Sequence, residues 1–267
     1  MTPTLPTTIH LHPTADLAER VLLPGDPGRA LALAQALLER PLMFNHNRGL
    51  WGYTGTAADG EPLTIQSTGM GGPSAAIVFS ELIALGARRA IRVGTCGALR
   101  PALDLGDLIV ARESICLDGA SRALGAGERA SADVSLTEAL RRAHARTRAK
   151  ESKVDISMTE PAMDPPTRNV PEKALAARAH PAHVGTIVSV DLFYDSRPPS
   201  DIPGALAVEM EAATLFALGA TAGVPVACVL AVSDTFSQDG ARRRIDDQSL
   251  LAAAEMMGTV AVTALSA

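Results

Sequence analysis

Short apolar strands alternate with helical stretches along the chain, and this alternation restricts it to an α/β architecture, a sheet carrying helices on both faces. Strands are expected at residues 21–24, 53–56, 63–68, 89–95, 107–111, 184–190, 205–208 and 226–232, the last wholly apolar. Helices are expected at 30–39, stopped by Pro41, at 74–85, closed by Gly86, and at 137–148, 212–221 and 248–265. No internal repeat and no linker divides the chain, so a single domain is expected. Residues 149–182 show no period and a changed composition. They hold Lys150, Lys153 and Lys173, the chain's lysines, together with Pro161, Pro165, Pro166, Pro171 and Pro181. A divergent surface excursion, partly disordered, is expected there.

Strands ending in polar turns at Gly25, Gly94 and Asp234 put ligand binding at the carboxyl ends of the sheet. Gly25-Asp26-Pro27-Gly28-Arg29 sets free amides and a guanidinium at a helix N-terminus, where anions are favoured, with Asp26 holding the turn or an arginine. Arg92-Val93-Gly94-Thr95-Cys96-Gly97-Ala98 reads as a strand leaving the sheet through a glycine turn. Its amides, the planar cation of Arg92 and the hydroxyl of Thr95 make an oxyanion site, with phosphate the first choice. Gly69-Met70-Gly71-Gly72-Pro73-Ser74 reads as backbone pressed close to a ligand; Pro73 and the glycine spacing argue against a dinucleotide fingerprint.

Glu209 and Glu211 flank Met210, and in an extended segment both carboxylates would face one side, suited to gripping two sugar hydroxyls. A strand edge or the first turn of the next helix is the plainer alternative. Asp234 ends the wholly apolar strand, where burial favours the neutral acid; a general acid and a simple turn cap both fit. Arg48 lies in a loop, where arginines are ordinarily only solvated. Cys96 has no base within sequence reach and reads as a plain reduced thiol rather than a nucleophile.

Composition removes several function classes. With 267 residues, 47% of them hydrophobic, the chain can bury a large core. A net charge of −5 without a basic stripe argues against a nucleic-acid partner. Cys96, Cys116 and Cys228 form no Cys-x-x-Cys pair or disulfide framework, which fits reduced thiols in the cytoplasm. No signal peptide is evident and no stretch reaches ~18 uninterrupted apolar residues, so no membrane partner is expected. No cluster has metal-ligand spacing.

Taken in order, Gly25-Asp26-Pro27-x-Arg29, Arg48-Gly49, Gly69-Met70-Gly71, Arg92-Val93-Gly94-Thr95-Cys96-Gly97, Ser189-x-Asp191-Leu192-Phe193-Tyr194, Val208-Glu209-Met210-Glu211-Ala212-Ala213 and Ser233-Asp234 resemble the nucleoside phosphorylases of the bacterial hexameric type. The resemblance spans residues 10–266 apart from 149–182. It implies a single-domain, three-layer α/β/α fold around a central mixed, partly barrel-like sheet. It also implies phosphorolysis of a nucleoside to free base and ribose 1-phosphate, without a cofactor or metal and with inorganic phosphate as co-substrate.

By that likeness Gly25, Arg29, Arg92 and Thr95 hold phosphate, joined by Arg48 of a neighbouring subunit. Met70, Met210 and Glu211 position the ribose, with Glu209 beside them. His10 of the neighbour reaches the 5′-hydroxyl, one residue off the family's usual spacing, with His12 its rival. Cys96, Gly97, Phe193, Val208 and Ser233 line the base pocket, and Asp234 gives a proton to N7 of a purine, helped by Arg242, Arg243 or Arg244. Phe193-Tyr194 is followed by Asp195-Ser196-Arg197-Pro198-Pro199 instead of the Gln-x-Arg of the uridine branch, which points to purines. The family's homohexamer, a trimer of dimers, is implied as the partner arrangement. Uridine phosphorylase, a thioadenosine-type nucleosidase and a non-catalytic nucleoside binder are the alternatives.

Overall fold

Backbone hydrogen bonds join the strands of the computed structural model into one mixed sheet, and the residues it describes are 8–157, 182–194, 202–236 and 242–267. The strands are β1 (Arg20–Leu23), β2 (Leu38–Asn45), β3 (Gly52–Ala57), β4 (Pro62–Gln66), β5 (Arg89–Ala98), β6 (Leu108–Cys116), β7 (Arg129–Ser131), β8 (Ala182–Ser189), β9 (Ala205–Glu209), β10 (Val226–Phe236) and β11 (Arg242–Arg244). The helices are α1 (Pro27–Leu37), α2 (Gly72–Leu85), α3 (Gly119–Ala123), α4 (Val134–Ser157), α5 (Ala212–Ala222) and α6 (Asp247–Leu265).

Strands β5, β10, β6, β8 and β9 close into a ring. Strand β10 runs parallel to β5 and antiparallel to β6, β6 and β8 are parallel, β8 and β9 are parallel, and β9 returns antiparallel to β5. The order β1-β4-β3-β2 extends this ring as an open sheet from the β1 edge of β5. The expected α/β fold with a partly barrel-like central sheet is therefore what the chain adopts.

Period-two burial assigns the two sides. Along β10, Val226, Cys228, Leu230 and Val232 pack in the core shared with α2 and α5, while Ala227, Val229 and Ala231 pack in the core shared with α1, α4 and α6. Both faces of the strand are covered, which is why it reads as an unbroken apolar run. Helix α6 is long and apolar enough to cross a membrane by length and composition, but Met257, Val260, Ala261 and Leu265 lie buried on that second core.

Several elements depart from the sequence pattern. Helix α1 stops at Leu37, and the chain continues as edge strand β2 through Pro41, where the register shifts and Arg40 takes a φ of 46°. An edge strand tolerates proline because that side needs no ladder donor. Helix α4 begins at Val134 and runs to Ser157, into the stretch expected to diverge; residues 158–181 of that expected excursion lie outside the described residues. Elements α3, β7 and β11 are too short to show a period.

An ion pair ties the open sheet to α6. Arg20, buried, places Nη1 2.6 Å from Oδ2 and Nη2 3.1 Å from Oδ1 of Asp59, which also accepts from Ser266 Oγ. The Arg20 hydrogen bonds hold the Asp59 carboxyl well below its ordinary value, against the opposing effect of burial. A depressed carboxylate contributes stability above the unfolded pKa and loses it as pH falls toward the folded one. Asp59→Asn is therefore expected to flatten the loss of unfolding free energy below about pH 4, read from urea melts across pH. An unchanged acid limb would show that the pair does not support the fold.

Candidate active site

The first wall is the β1–α1 turn. Asp26 is extended at the N-cap of α1, and its Oδ1 accepts from Arg29 N at 2.6 Å, so Asp26 holds the turn rather than an arginine. Gly25 lies against the Gly69 loop and Arg92: a Cβ on it would stand 3.3 Å from Gly69 O and 4.0 Å from Arg92 Nη1. Arg29 is half-buried in the same corner. Desolvation lowers its pKa, Asp26 and Glu211 oppose that, and Arg92 adds to it.

Arg92 is the centre of the site. It is 3% exposed, donates from Nε to Glu209 Oε2 at 3.0 Å and from Nη2 to Glu211 Oε2, and leaves Nη1 buried without a partner. Burial alone would lower its pKa; the two glutamates outweigh that and raise it. Strand β5 does not turn at Gly94, as the glycines suggested, but stays extended to Ala98. A Cβ at Gly94 would stand 2.9 Å from Arg92 Cζ, so the residue is glycine because the guanidinium folds back across its own strand. Thr95 and Gly97 are the half-buried openings along this strand.

The two carboxylates belong to different elements yet converge on the Arg92 guanidinium. Strand β9 ends at Glu209 and Glu211 is already the N-cap of α5, so the period of two breaks between them. Glu209 turns inward. Its Oε1 accepts from Ser189 Oγ and from Ala212 N at 3.0 Å, and its Oε2 accepts from Arg92 Nε, from Glu211 N at 2.9 Å and from Ala212 N at 3.0 Å. Burial pushes the Glu209 pKa up against the pull of Arg92. Glu211 Oε1 accepts from Gly71 N at 2.6 Å, fastening the Gly69–Gly72 loop to α5. Met210 is half-buried beside it, and Met70, on that loop, is 85% exposed.

The other end of β5 is the apolar end. Cys96 is buried, its thiol 3.6 Å from Ala231 O, and desolvation raises its pKa, which removes it as a nucleophile. A Cβ on Gly97 would stand 3.3 Å from Val208 and 3.4 Å from the Phe236 ring, so glycine keeps this opening from being crowded. Phe236 lies outside every sequence motif, although it sits two residues beyond Asp234 on the same strand, which is a period-two signal.

Asp234 follows a bulge between Val232 and itself. It is 6% exposed, and its Oδ2 accepts from Ser233 Oγ at 2.7 Å and its Oδ1 from Arg242 Nε at 2.8 Å. The structure thus selects Arg242 from the arginine triplet, although Arg244 is its ladder partner. The Arg242 guanidinium also stacks 4.5 Å from the centroid of Phe193, itself edge-on to Tyr194.

His10 and Arg48 lie apart from this cluster, and no hydrogen bond or ion pair among the described residues joins either to Arg29, Arg92 or Asp234. They are held together instead. Glu81 takes His10 Nδ1 at 2.7 Å and the amides of Ile9, His10 and Leu11; Asn47 Nδ2 donates to His10 O at 2.9 Å; Asn45 Oδ1 accepts from His12 N at 2.8 Å. Arg48 is exposed at a φ of 57°, so the loop projects it outward. The side chain bound by Glu81 is that of His10; His12 is exposed and tied only through its backbone. No group of three or more metal-ligating side chains occurs among the described residues.

A family model described as the phosphorylase superfamily matches residues 19–266. The chain is similar to a DeoD-type purine nucleoside phosphorylase of Geobacillus kaustophilus, at 36% identity over 225 residues, covering 83% of each chain. One of a Jannaschia species is 36% identical over 237 residues, covering 85% of this chain and 87% of the relative. Another, of Clostridium beijerinckii, is 36% identical over 236 residues, covering 86% of each.

Proposed function

The chain belongs to the phosphorylase superfamily, and from that membership we propose that it cleaves the N-glycosidic bond of purine nucleosides with inorganic phosphate, releasing the base and ribose 1-phosphate. The observation that carries the reading is Arg92 Nη1, a buried cationic donor with no partner, facing the Gly25–Arg29 turn. An unmet buried donor costs about 1–3 kcal/mol, and a phosphate oxygen would satisfy it. A hydrolase that uses water has no need of such a donor.

In this reading Gly25, Arg29, Arg92 and Thr95 hold phosphate, and Arg48 of a neighbouring subunit completes the shell. Glu211 has one lone pair free on each oxygen after Gly71 N and Arg92 are served, enough for the 2′- and 3′-hydroxyls of a ribose between Met70 and Met210. The neighbour's His10, oriented by its Glu81, meets the 5′-hydroxyl. Glu209, with its oxygens taken, acts on the sugar only through Arg92 and Glu211. Phe193, Val208, Cys96, Gly97 and Phe236 enclose the base, with Ser233 and Asp234 at its edge.

A phosphate oxygen bonds to C1′ as the C1′–N9 bond breaks, and the electron pair passes into the purine. Positive charge grows on the ribose above the phosphate, which is where an anion stabilises it. Asp234 transfers a proton to N7, and Arg242 stabilises the carboxylate left behind. The homohexamer is part of this proposal because Arg48 is exposed and His10 is bound to Glu81, with neither bonded to Arg29, Arg92 or Asp234 among the described residues; the buried free thiols support a reducing, cytoplasmic setting. The shared sheet supports one domain.

Release of free base from inosine, guanosine, adenosine and uridine, with and without phosphate, tests the proposal. Phosphate-dependent release from the purine nucleosides is expected. Release that persists without phosphate would assign a nucleosidase, uridine as the preferred substrate would assign the uridine branch, and binding without turnover a nucleoside-binding protein.

A further inference from the structure

Bonded to Glu209 stands a pair of buried serines from neighbouring strands β6 and β8. Ser114 and Ser189 are both fully buried, with Oγ atoms 2.8 Å apart. Ser189 Oγ accepts from Ala213 N at 2.9 Å and donates to Glu209 Oε1. The direction of each bond follows from the inventory of hydrogens. Every other neighbour of the Glu209 carboxylate is an N–H donor, so the carboxylate accepts throughout and Ser189 spends its single hydrogen on it. Ser189 must then receive from Ser114, whose other acceptor among the described residues, Ile115 O, is farther off at 3.4 Å.

We propose that Ser114 and Ser189 are positioning residues for phosphate: a one-way hydroxyl chain that fixes the plane of the Glu209 carboxylate, and through it the direction of Arg92 Nη1. The inference rests on the phosphorolysis reading for the identity of the anion. Glu209 meets the serine with Oε1 and Arg92 Nε with Oε2, so rotation of the carboxylate about its last bond is opposed from both sides. Without Ser189 the carboxylate keeps only N–H donors on the Arg92 side and near α5. The guanidinium then loses its fixed backstop, and Nη1 its aim toward Gly25. Neither serine bonds Glu211, whose Oε1 keeps its own anchor at Gly71 N, so the effect on the sugar is expected to be smaller than that on phosphate.

The test is the binding of inorganic phosphate alone, followed as phosphate-dependent thermal stabilisation, alongside steady-state kinetics. Ser189→Ala is expected to weaken phosphate binding and raise the phosphate KM by about tenfold, Ser114→Ala by about threefold, with the nucleoside KM within about twofold of wild type. Because the hydroxyls act in series, the double variant should match Ser189→Ala alone instead of multiplying the two effects. Phosphate constants unchanged in folded variants, nucleoside and phosphate constants rising together, or multiplying effects would each overturn the proposal. Should Ser189→Ala fail to fold, Ser114→Ala, which leaves the Ala213 N–H paired with Ser189, decides the matter by the same phosphate readout. A wild-type protein that binds phosphate with this serine dependence yet cleaves no nucleoside with it would sustain the serine chain and refute the phosphorolysis reading.

Discussion

Asp234→Asn is expected to lower kcat for purine nucleosides by about 10²–10⁴-fold while leaving phosphate binding within about twofold of wild type. The asymmetry follows from where Asp234 sits. It lies on β10, past the bulge, in contact with Ser233 and Arg242, and shares no hydrogen bond with Arg29 or Arg92. Asparagine keeps the shape and can still accept from Arg242, so the fold has little reason to change. What it cannot do is hand a proton to the departing base, and the electron pair must then reside on an unprotonated purine. A nucleoside whose base leaves readily as an anion should lose far less, and that contrast separates proton transfer from mere positioning. Parallel loss of turnover and phosphate affinity, or equal loss with the good leaving group, would remove Asp234 from the role of acid.

Arg92→Met strikes both stability and binding. It leaves Glu209 and Glu211 buried without their cation, and breaking a buried pair from one side typically costs about 3–5 kcal/mol. The sign of the pH dependence is fixed by Glu209, whose pKa burial already raises. A carboxyl with a raised folded pKa does no harm below its unfolded value near about 4.3 and destabilises increasingly as pH rises through the folded one. The defect of Arg92→Met should therefore be smaller in urea melts near about pH 4.5 than near about pH 7.5. Phosphate-dependent activity should disappear at every pH. A defect independent of pH would mean that the Glu209 charge is not what the missing guanidinium leaves exposed.

The parts of the site that depend on chain direction were legible before any coordinates. Gly25, Arg92 and Asp234 end or punctuate apolar runs, and a parallel arrangement brings such ends together. What stayed hidden depends on where chain direction changes within one or two residues. Glu209 and Glu211 look like a pair in one extended segment, whereas the strand becomes a helix between them and what they share is Arg92. Gly94 and Gly97 look like a turn, because sequence shows the missing side chain but not the guanidinium or the Phe236 ring that fills its place. Arg242 could not be told from Arg243 and Arg244, since a three-residue run carries no phase by itself; the Phe193 ring across the mouth supplies it. Ser114 was invisible for a simpler reason. Its partner lies 75 residues away on another strand, and a lone serine after Arg112 and Glu113 announces nothing.

The closed ring of β5, β10, β6, β8 and β9 has one consequence for how such a site can vary. In an open sheet an outer strand can slide and take its side chains with it. In a ring each strand is clamped on both flanks, so one displacement demands another all the way round. A slip of one residue moves a side chain by roughly 3.3 Å and turns it to the opposite face. The heights of Arg92, Glu209 and Asp234 are thus permitted only in whole-residue steps, with no continuum between them. The loops at the mouth are free to drift, while the spacing of Arg92, Glu209 and Asp234 is locked, as in the teeth of a gear.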